Sequence, residues 1–262
     1  MMTLFRQYLI VGGMPQAVKE YAETRNFKLV DLEKRDILNL YKEDIEKHGG
    51  KDAQRVRQIY DLIPAQLSEA NKRFIFSAIA DNARYREYEN ALIWLKEAKI
   101  VNLCFNTTEP TVGLMSRMDI SAFKCYQCDT GLLISQTFSE KDLARDEIYK
   151  KVLFDKLEFN NGLVMENVVA QMLVAAQHDL YYYAETEDRM EVDFLITKKS
   201  LTSRKNIIPI EVKSGKSFSI TSLLKYRTKF AQQVEECYVL YDGDISEKDG
   251  ITYLPVYMAG LL

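Results

Sequence analysis

Glu191-Val192-Asp193-Phe194-Leu195-Ile196, a polar stretch, and then Ile207-Ile208-Pro209-Ile210-Glu211-Val212-Lys213 decide the reading of this chain. Each run alternates in polarity, so each predicts a strand with one apolar face. In the first, Val192, Phe194 and Ile196 share a face, and Glu191 and Asp193 point the other way. In the second, Ile208, Ile210 and Val212 share a face opposite Glu211 and Lys213. The connection over 198–206 is long enough for a hairpin. Antiparallel pairing across it is expected to bring Asp193 beside Glu211 and Lys213.

Two carboxylates on adjacent strands suit a hard cation. Magnesium, or manganese in its place, takes one or two carboxylates together with waters and a substrate phosphate. Such an ion acidifies a bound water and polarises a phosphoryl oxygen. Lys213 could orient that water or stabilise charge developing on the phosphate. Upstream, residues 162–177 predict a helix with Met165, Val168, Val169, Met172, Leu173 and Ala176 on its buried stripe. Glu166 borders that stripe, where a carboxylate needs a partner. The expected site therefore has Asp193 and Glu211 on the metal, with Lys213 and Glu166 in catalytic roles. Glu-x-Lys alone is common on solvated strand faces. The signal lies in its combination with two half-apolar strands, an aspartate across a hairpin-length connection and a preceding Glu-bearing helix.

Further strands are expected over 180–184, 237–241 and 251–255, and a helix over 220–230, which makes a mixed α/β sheet. The first part of the chain reads as helices. Residues 4–23 and 26–47 are broken by Gly12-Gly13 and Pro15, and residues 53–62 end before Pro64. Helices over 67–80 and 85–98 and a hairpin from 100–105 and 121–128 follow, which is the order of a winged helix. Arg84, Arg86 and Lys96 lie on or near its second helix, where they would meet DNA; otherwise the winged unit mediates protein contacts. The charged residues 139–160 read as a helical linker or lid. The expected organisation is a helical segment over 1–50, a winged-helix-like domain over 51–138 and a nuclease-like α/β domain over 139–262.

A 262-residue chain that is 47% hydrophobic supports packed cores and excludes disorder. Its net charge of -3 offers no electrostatic case for a general nucleic-acid binder. An acidic domain can still act on phosphates where a divalent cation offsets its carboxylates. Of the four cysteines, Cys125 and Cys128 form a single C-x-x-C, and His48 and His178 stand at no paired spacing, so no zinc site is expected. That C-x-x-C ends a strand rather than opening a helix, which argues against thiol redox chemistry. Reduced thiols fit a cytoplasmic protein. No apolar run is long enough for a membrane span and no secretory leader is visible.

The segment Tyr8-Leu9-Ile10-Val11-Gly12-Gly13-Met14-Pro15 belongs with several later blocks. They are Ala91-Leu92-Ile93-Trp94-Leu95, Asp129-Thr130-Gly131-Leu132-Leu133, Met165-Glu166-Asn167, Val192-Asp193-Phe194 and Ile210-Glu211-Val212-Lys213-Ser214-Gly215. Together, in this order and over essentially the whole chain, they resemble the region that follows the ATPase core in a widespread group of prokaryotic AAA-type ATPases. The resemblance implies a winged-helix-like middle region and a restriction-endonuclease-like PD-(D/E)xK domain. Glu166, Asp193, Glu211 and Lys213 stand at its motif positions. Such proteins begin with a P-loop ATPase module, and ATP would be bound only there. Here Ser214-Gly215-Lys216-Ser217 imitates the end of a Walker A loop, but Ile210 stands where that loop needs its first glycine. The chain therefore reads as a fragment lacking its N-terminal motor. Two functions follow. One is a metal-dependent nuclease acting on DNA or RNA. The other is a non-catalytic DNA- or protein-binding regulatory module of the ATPase.

Overall fold

Chain-breaking residues set the first elements of this computed structural model, which describes residues 1–110, 113–138, 147–153, 161–186, 189–198, 205–215 and 217–262. Helix α1 (Met2–Val11) stops at Gly12, whose N–H donates to the Tyr8 carbonyl at 2.7 Å. Pro15 opens α2 (Pro15–Thr24), in the first turn where its missing N–H leaves nothing unsatisfied. Asn26 caps α3 (Phe27–His48) by accepting the Lys28 N–H at 2.9 Å.

Two expectations fail in the next stretch. Helix α4 (Ala53–Ser68) does not end before Pro64 but runs through it. The proline removes the N–H that would have bonded the Tyr60 carbonyl. The side-chain amide of Gln136 donates to that carbonyl instead, at 2.8 Å. The helix expected over 67–80 is not formed beyond α4; only a 3-10 turn, Phe76–Ala78, interrupts an irregular path. Phe74 and Phe76 are both buried, and a two-residue burial step is the period of extended chain, not of a helix. Helix α5 (Tyr85–Glu97) then forms as expected.

Residues 1–102 with 125–171 make one compact unit, and residues 103–124 with 172–262 a second. The expected segments 1–50, 51–138 and 139–262 map differently onto these two. The first unit is helical and also holds α6 (Thr130–Thr137), α7 (Glu147–Leu153) and most of α8 (Asn161–Ala175). The rest of the expected linker, 139–146 and 154–160, lies outside the described residues.

The second unit carries most of a mixed sheet. Its strands are β1 (Val101–Thr107), β2 (Met118–Gln127), β3 (Leu180–Glu185), β4 (Met190–Thr197), β5 (Ile207–Val212), β6 (Tyr238–Tyr241), β7 (Ser246–Lys248) and β8 (Ile251–Pro255). They are ordered β2-β1-β3-β4-β5-β6-β8-β7. Strands β3, β4 and β5 are antiparallel, while β1–β3, β5–β6 and β6–β8 are parallel. Helix α9 (Thr221–Lys229) makes the crossover from β5 to β6 that parallel pairing requires. Its Leu223 and Tyr226 pack with Tyr181, Tyr183, Val239 and Ile251 in one core. The protein is thus α+β, a helical N-terminal region followed by a mixed eight-stranded sheet. The hairpin expected as the wing is part of that sheet: β1 runs parallel to β3, with Cys104 opposite Leu180. At the far edge, β7 is three exposed residues, Ser-Glu-Lys, short and charged enough to discourage pairing with another chain.

Several of the blocks that carry the family resemblance form one packing knot in the first unit. Asp129 caps α6 by accepting the Leu132 N–H at 2.9 Å, and it also accepts the Gly13 N–H at 2.6 Å. Gln171 of α8 accepts from the Thr130 N–H at 3.0 Å and donates to Asp129 at 3.2 Å and to the Tyr8 hydroxyl at 3.0 Å. Asn167 accepts the Gln127 N–H at 2.8 Å and donates to the Gln127 carbonyl at 3.2 Å. Lys34, fully buried, donates to the carbonyls of Ile10 at 2.7 Å and Gly131 at 3.1 Å.

Lys34 gives this unit a pH signature. Burial pushes its pKa down to about 8, with Asp31 and Asp129 pulling the other way. Below pH 8 both states hold the proton and the folded state bears the desolvation. Between about 8 and 10.5 the unfolded chain keeps the proton and the folded chain releases it, so this group's contribution to stability rises with pH. Buried tyrosines and thiols act in the opposite sense, so the measurement is a difference. The unfolding free energy of the wild type minus that of Lys34→Met, from urea titrations, rises by roughly 1–3 kcal/mol from pH 8 to 10. A flat difference would mean that the buried amine stays charged.

Candidate functional site

Met190, Val192 and Leu195 of β4 all pack into the core beneath α9. A three-residue step from Val192 to Leu195 cannot keep one face in a regular strand. Over the same interval the pairing with β3 shifts, from Tyr181 opposite Leu195 to Tyr183 opposite Val192. One extra residue is inserted at Asp193-Phe194, a β-bulge. The strict alternation expected of Val192, Phe194 and Ile196 therefore fails there.

Toward β5 the pairing is regular from Thr197–Ile207 to Phe194–Ile210. One further step in that register would set Asp193 opposite Glu211. There the Asp193 carboxylate accepts the Val212 N–H at 2.8 Å. That N–H faces β4, because the next one, of Lys213, turns to β6 and donates to the Leu240 carbonyl at 2.8 Å. The side chain of Asp193 thus takes the place of a ladder carbonyl and lies in the gap between the strands. Val212 stands between Glu211 and Lys213, whose ammonium donates to the buried Glu211 carboxylate at 2.6 Å. Asp193 therefore reaches the backbone between Glu211 and Lys213 at the end of β5.

Lys124 of β2 also enters this cluster, and the sequence reading passed over it. Only 1% of its side chain is exposed. Its ammonium lies 2.7 Å from Glu191, 3.9 Å from Asp193 and 5.0 Å from the centre of the Tyr182 ring. The signal was present: one lysine inside Ala122-Phe123-Lys124-Cys125-Tyr126, an otherwise apolar strand, needs a buried partner.

Glu166 belongs to the first unit. Its carboxylate accepts from the Lys72 ammonium at 2.8 Å and from the Tyr126 hydroxyl at 3.0 Å. An ammonium and a hydroxyl thus stand against this buried carboxylate. Arg84, Arg86 and Lys96 are exposed. Arg84 precedes α5 and its N–H donates to Glu87 at 3.1 Å. Arg86 and Lys96, ten residues apart on α5, are separated by about 15 Å along its axis, so the three make no single basic patch. All four cysteines are free thiols. Burial pushes Cys128 up to about 12 and Cys125 higher still, so neither is a thiolate near neutral pH. Lys216 of the Ser-Gly-Lys-Ser run lies outside the described residues.

Among the described residues, no three His, Cys, Asp or Glu side chains gather as a metal-binding group. Also among the described residues, no helix is long and apolar enough to cross a membrane.

Fold and cluster together define a class, an α+β protein whose mixed sheet carries a carboxylate–lysine cluster where two antiparallel strands part. The chain belongs to the DUF8612 family, a domain of unknown function, matched over residues 2–142. Residues 161–258 match a second domain of unknown function, DUF4143. No curated protein and no solved structure matches the chain significantly.

Proposed function

We propose that this chain is the nuclease-like module of a larger ATPase and cleaves nucleic-acid phosphodiesters with magnesium or manganese. The observation that carries the reading is the Asp193 carboxylate against the Val212 N–H, the backbone group that stands between Glu211 and Lys213. The order α8, antiparallel β3-β4-β5, α9 and parallel β6 supports a restriction-endonuclease-like fold. DUF4143 is commonly associated with ATPase-containing proteins, which supports the wider context, with ATP handled outside these residues.

The donor set fits the ion: two carboxylates supply hard oxygens, and water and phosphate supply the rest. When bound, the ion would provide an acidified water and a polarised phosphoryl oxygen. The chain's own residues do the positioning. Asp193 and Glu211 would hold the cation, and the Val212 N–H fixes the Asp193 rotamer. Lys213, two residues beyond Glu211, can turn its ammonium from that carboxylate to negative charge developing on the phosphate. A regulatory module without turnover is the second reading, favoured by the ion pair that already compensates Glu211.

The test is cleavage of single- and double-stranded DNA and RNA with magnesium or manganese. Asp193→Ala is expected to slow cleavage about 100-fold or more, and Glu211→Ala similarly. Salt-sensitive binding with no cleavage at all, or cleavage that survives both substitutions, would move the chain to the regulatory reading.

A further inference from the structure

We infer that Lys124 is the resident counter-cation of this site, a positioning residue whose ammonium competes with a divalent ion for Asp193. The inference rests on the two-carboxylate reading above. Lys124 is buried on β2, and its charge is shared unequally between two carboxylates. Glu191 makes the close ion pair at 2.7 Å, and Asp193 lies at 3.9 Å, at the edge of ion-pair distance but well within electrostatic reach. The Tyr182 ring, 5.0 Å away, adds an aromatic wall that favours a cation.

These contacts set up a three-body balance. Glu191 holds the ammonium back from Asp193, and the ammonium shields Asp193 from a second positive charge. A divalent ion on Asp193 would stand within a few ångströms of a buried like charge, so the lysine weakens its binding. Lys124 and Glu191 therefore act in opposite directions. Removing the lysine charge favours the ion. Removing the Glu191 charge frees the ammonium to move onto Asp193 and disfavours the ion. A lysine that only fills space would show neither effect.

The experiment is manganese binding to the full chain, read by electron paramagnetic resonance of the free ion. Lys124→Met is expected to bind manganese about tenfold more tightly than the wild type, and Lys124→Arg to match the wild type. Glu191→Gln, a near-isosteric change at a half-exposed position, is expected to bind several-fold more weakly, which gives an independent arm if Lys124→Met does not fold. Asp193→Asn should abolish binding and so locates the ion. Affinity in Lys124→Met equal to or below the wild type overturns the inference, as does manganese bound by none of these proteins. Cleavage assays on the same set separate the two claims. A tenfold ratio with no cleavage anywhere sinks the nuclease reading and leaves Lys124 in this role. Cleavage with a ratio of one does the reverse.

Discussion

Gly131→Ala lowers stability by about 3 kcal/mol or more, although helix propensity alone predicts a gain from alanine in place of glycine. The sign of the result therefore decides between the two. A Cβ at Gly131 would stand 2.7 Å from Gly12 Cα, Gly12 N and the Val11 carbonyl oxygen. All three are backbone atoms, so no side chain can rotate away. The backbone itself is pinned on both sides. Gly12 donates to Tyr8 at 2.7 Å, Gly13 donates to Asp129 at 2.6 Å, and Lys34 ties the Ile10 and Gly131 carbonyls together. Gly12 has no freedom to give either. Its φ of +80° is open to glycine and strained for other residues, and a Cβ there would overlap the Asp129 carboxylate. Gly162→Ala is the control, since the nearest atom to its Cβ is the Lys72 ammonium at 3.7 Å, an ordinary contact. Urea midpoints followed by circular dichroism measure both. A Gly131→Ala protein as stable as Gly162→Ala would mean that α1 and α6 are not in contact in solution.

What was legible in the sequence follows the range of the physics involved. Strands β3 to β6 and β8, and helices α1 to α3, α5, α8 and α9, are written in local alternation and in local breakers such as Gly12 and Pro15. The approach of Asp193 to the Glu-x-Lys strand was legible for the same reason, because a short connection joins two alternating runs. The features that were missed depend on distant partners. Pro64 stays inside α4 because Gln136 supplies the missing donor. The β1–β2 pair joins the sheet because β3 accepts it. The bulge at Asp193-Phe194 is invisible to a reading that assumes a period of two. Lys124 needed Glu191 to reveal its purpose. The Asp-Thr-Gly block carried part of the resemblance, and its Asp129 and Thr130 side chains join α6 to Gly13, Asn167 and Gln171.

Lys72→Met lowers stability by on the order of 3 kcal/mol, because it takes the ammonium away from a buried carboxylate. Glu166 is 5% exposed and Tyr126, its second partner, is fully buried. The Tyr126 hydroxyl at 3.0 Å remains after the substitution, but a neutral donor does not compensate a full charge removed from water. The double variant Lys72→Met with Glu166→Gln is expected to recover most of the loss, since it removes both charges and keeps an amide oxygen for Tyr126. Urea titrations of the two singles and the double close the cycle, and strictly additive losses would show that the pair contributes nothing as a pair. The same variants decide what Glu166 is for. If the carboxylate serves the ion pair, Glu166→Gln retains cleavage per folded molecule and shifts only the unfolding midpoint. Loss of cleavage by about 100-fold with an unchanged midpoint would instead assign Glu166 to the chemistry, and the Lys72 contact to a resting arrangement that substrate or ion displaces.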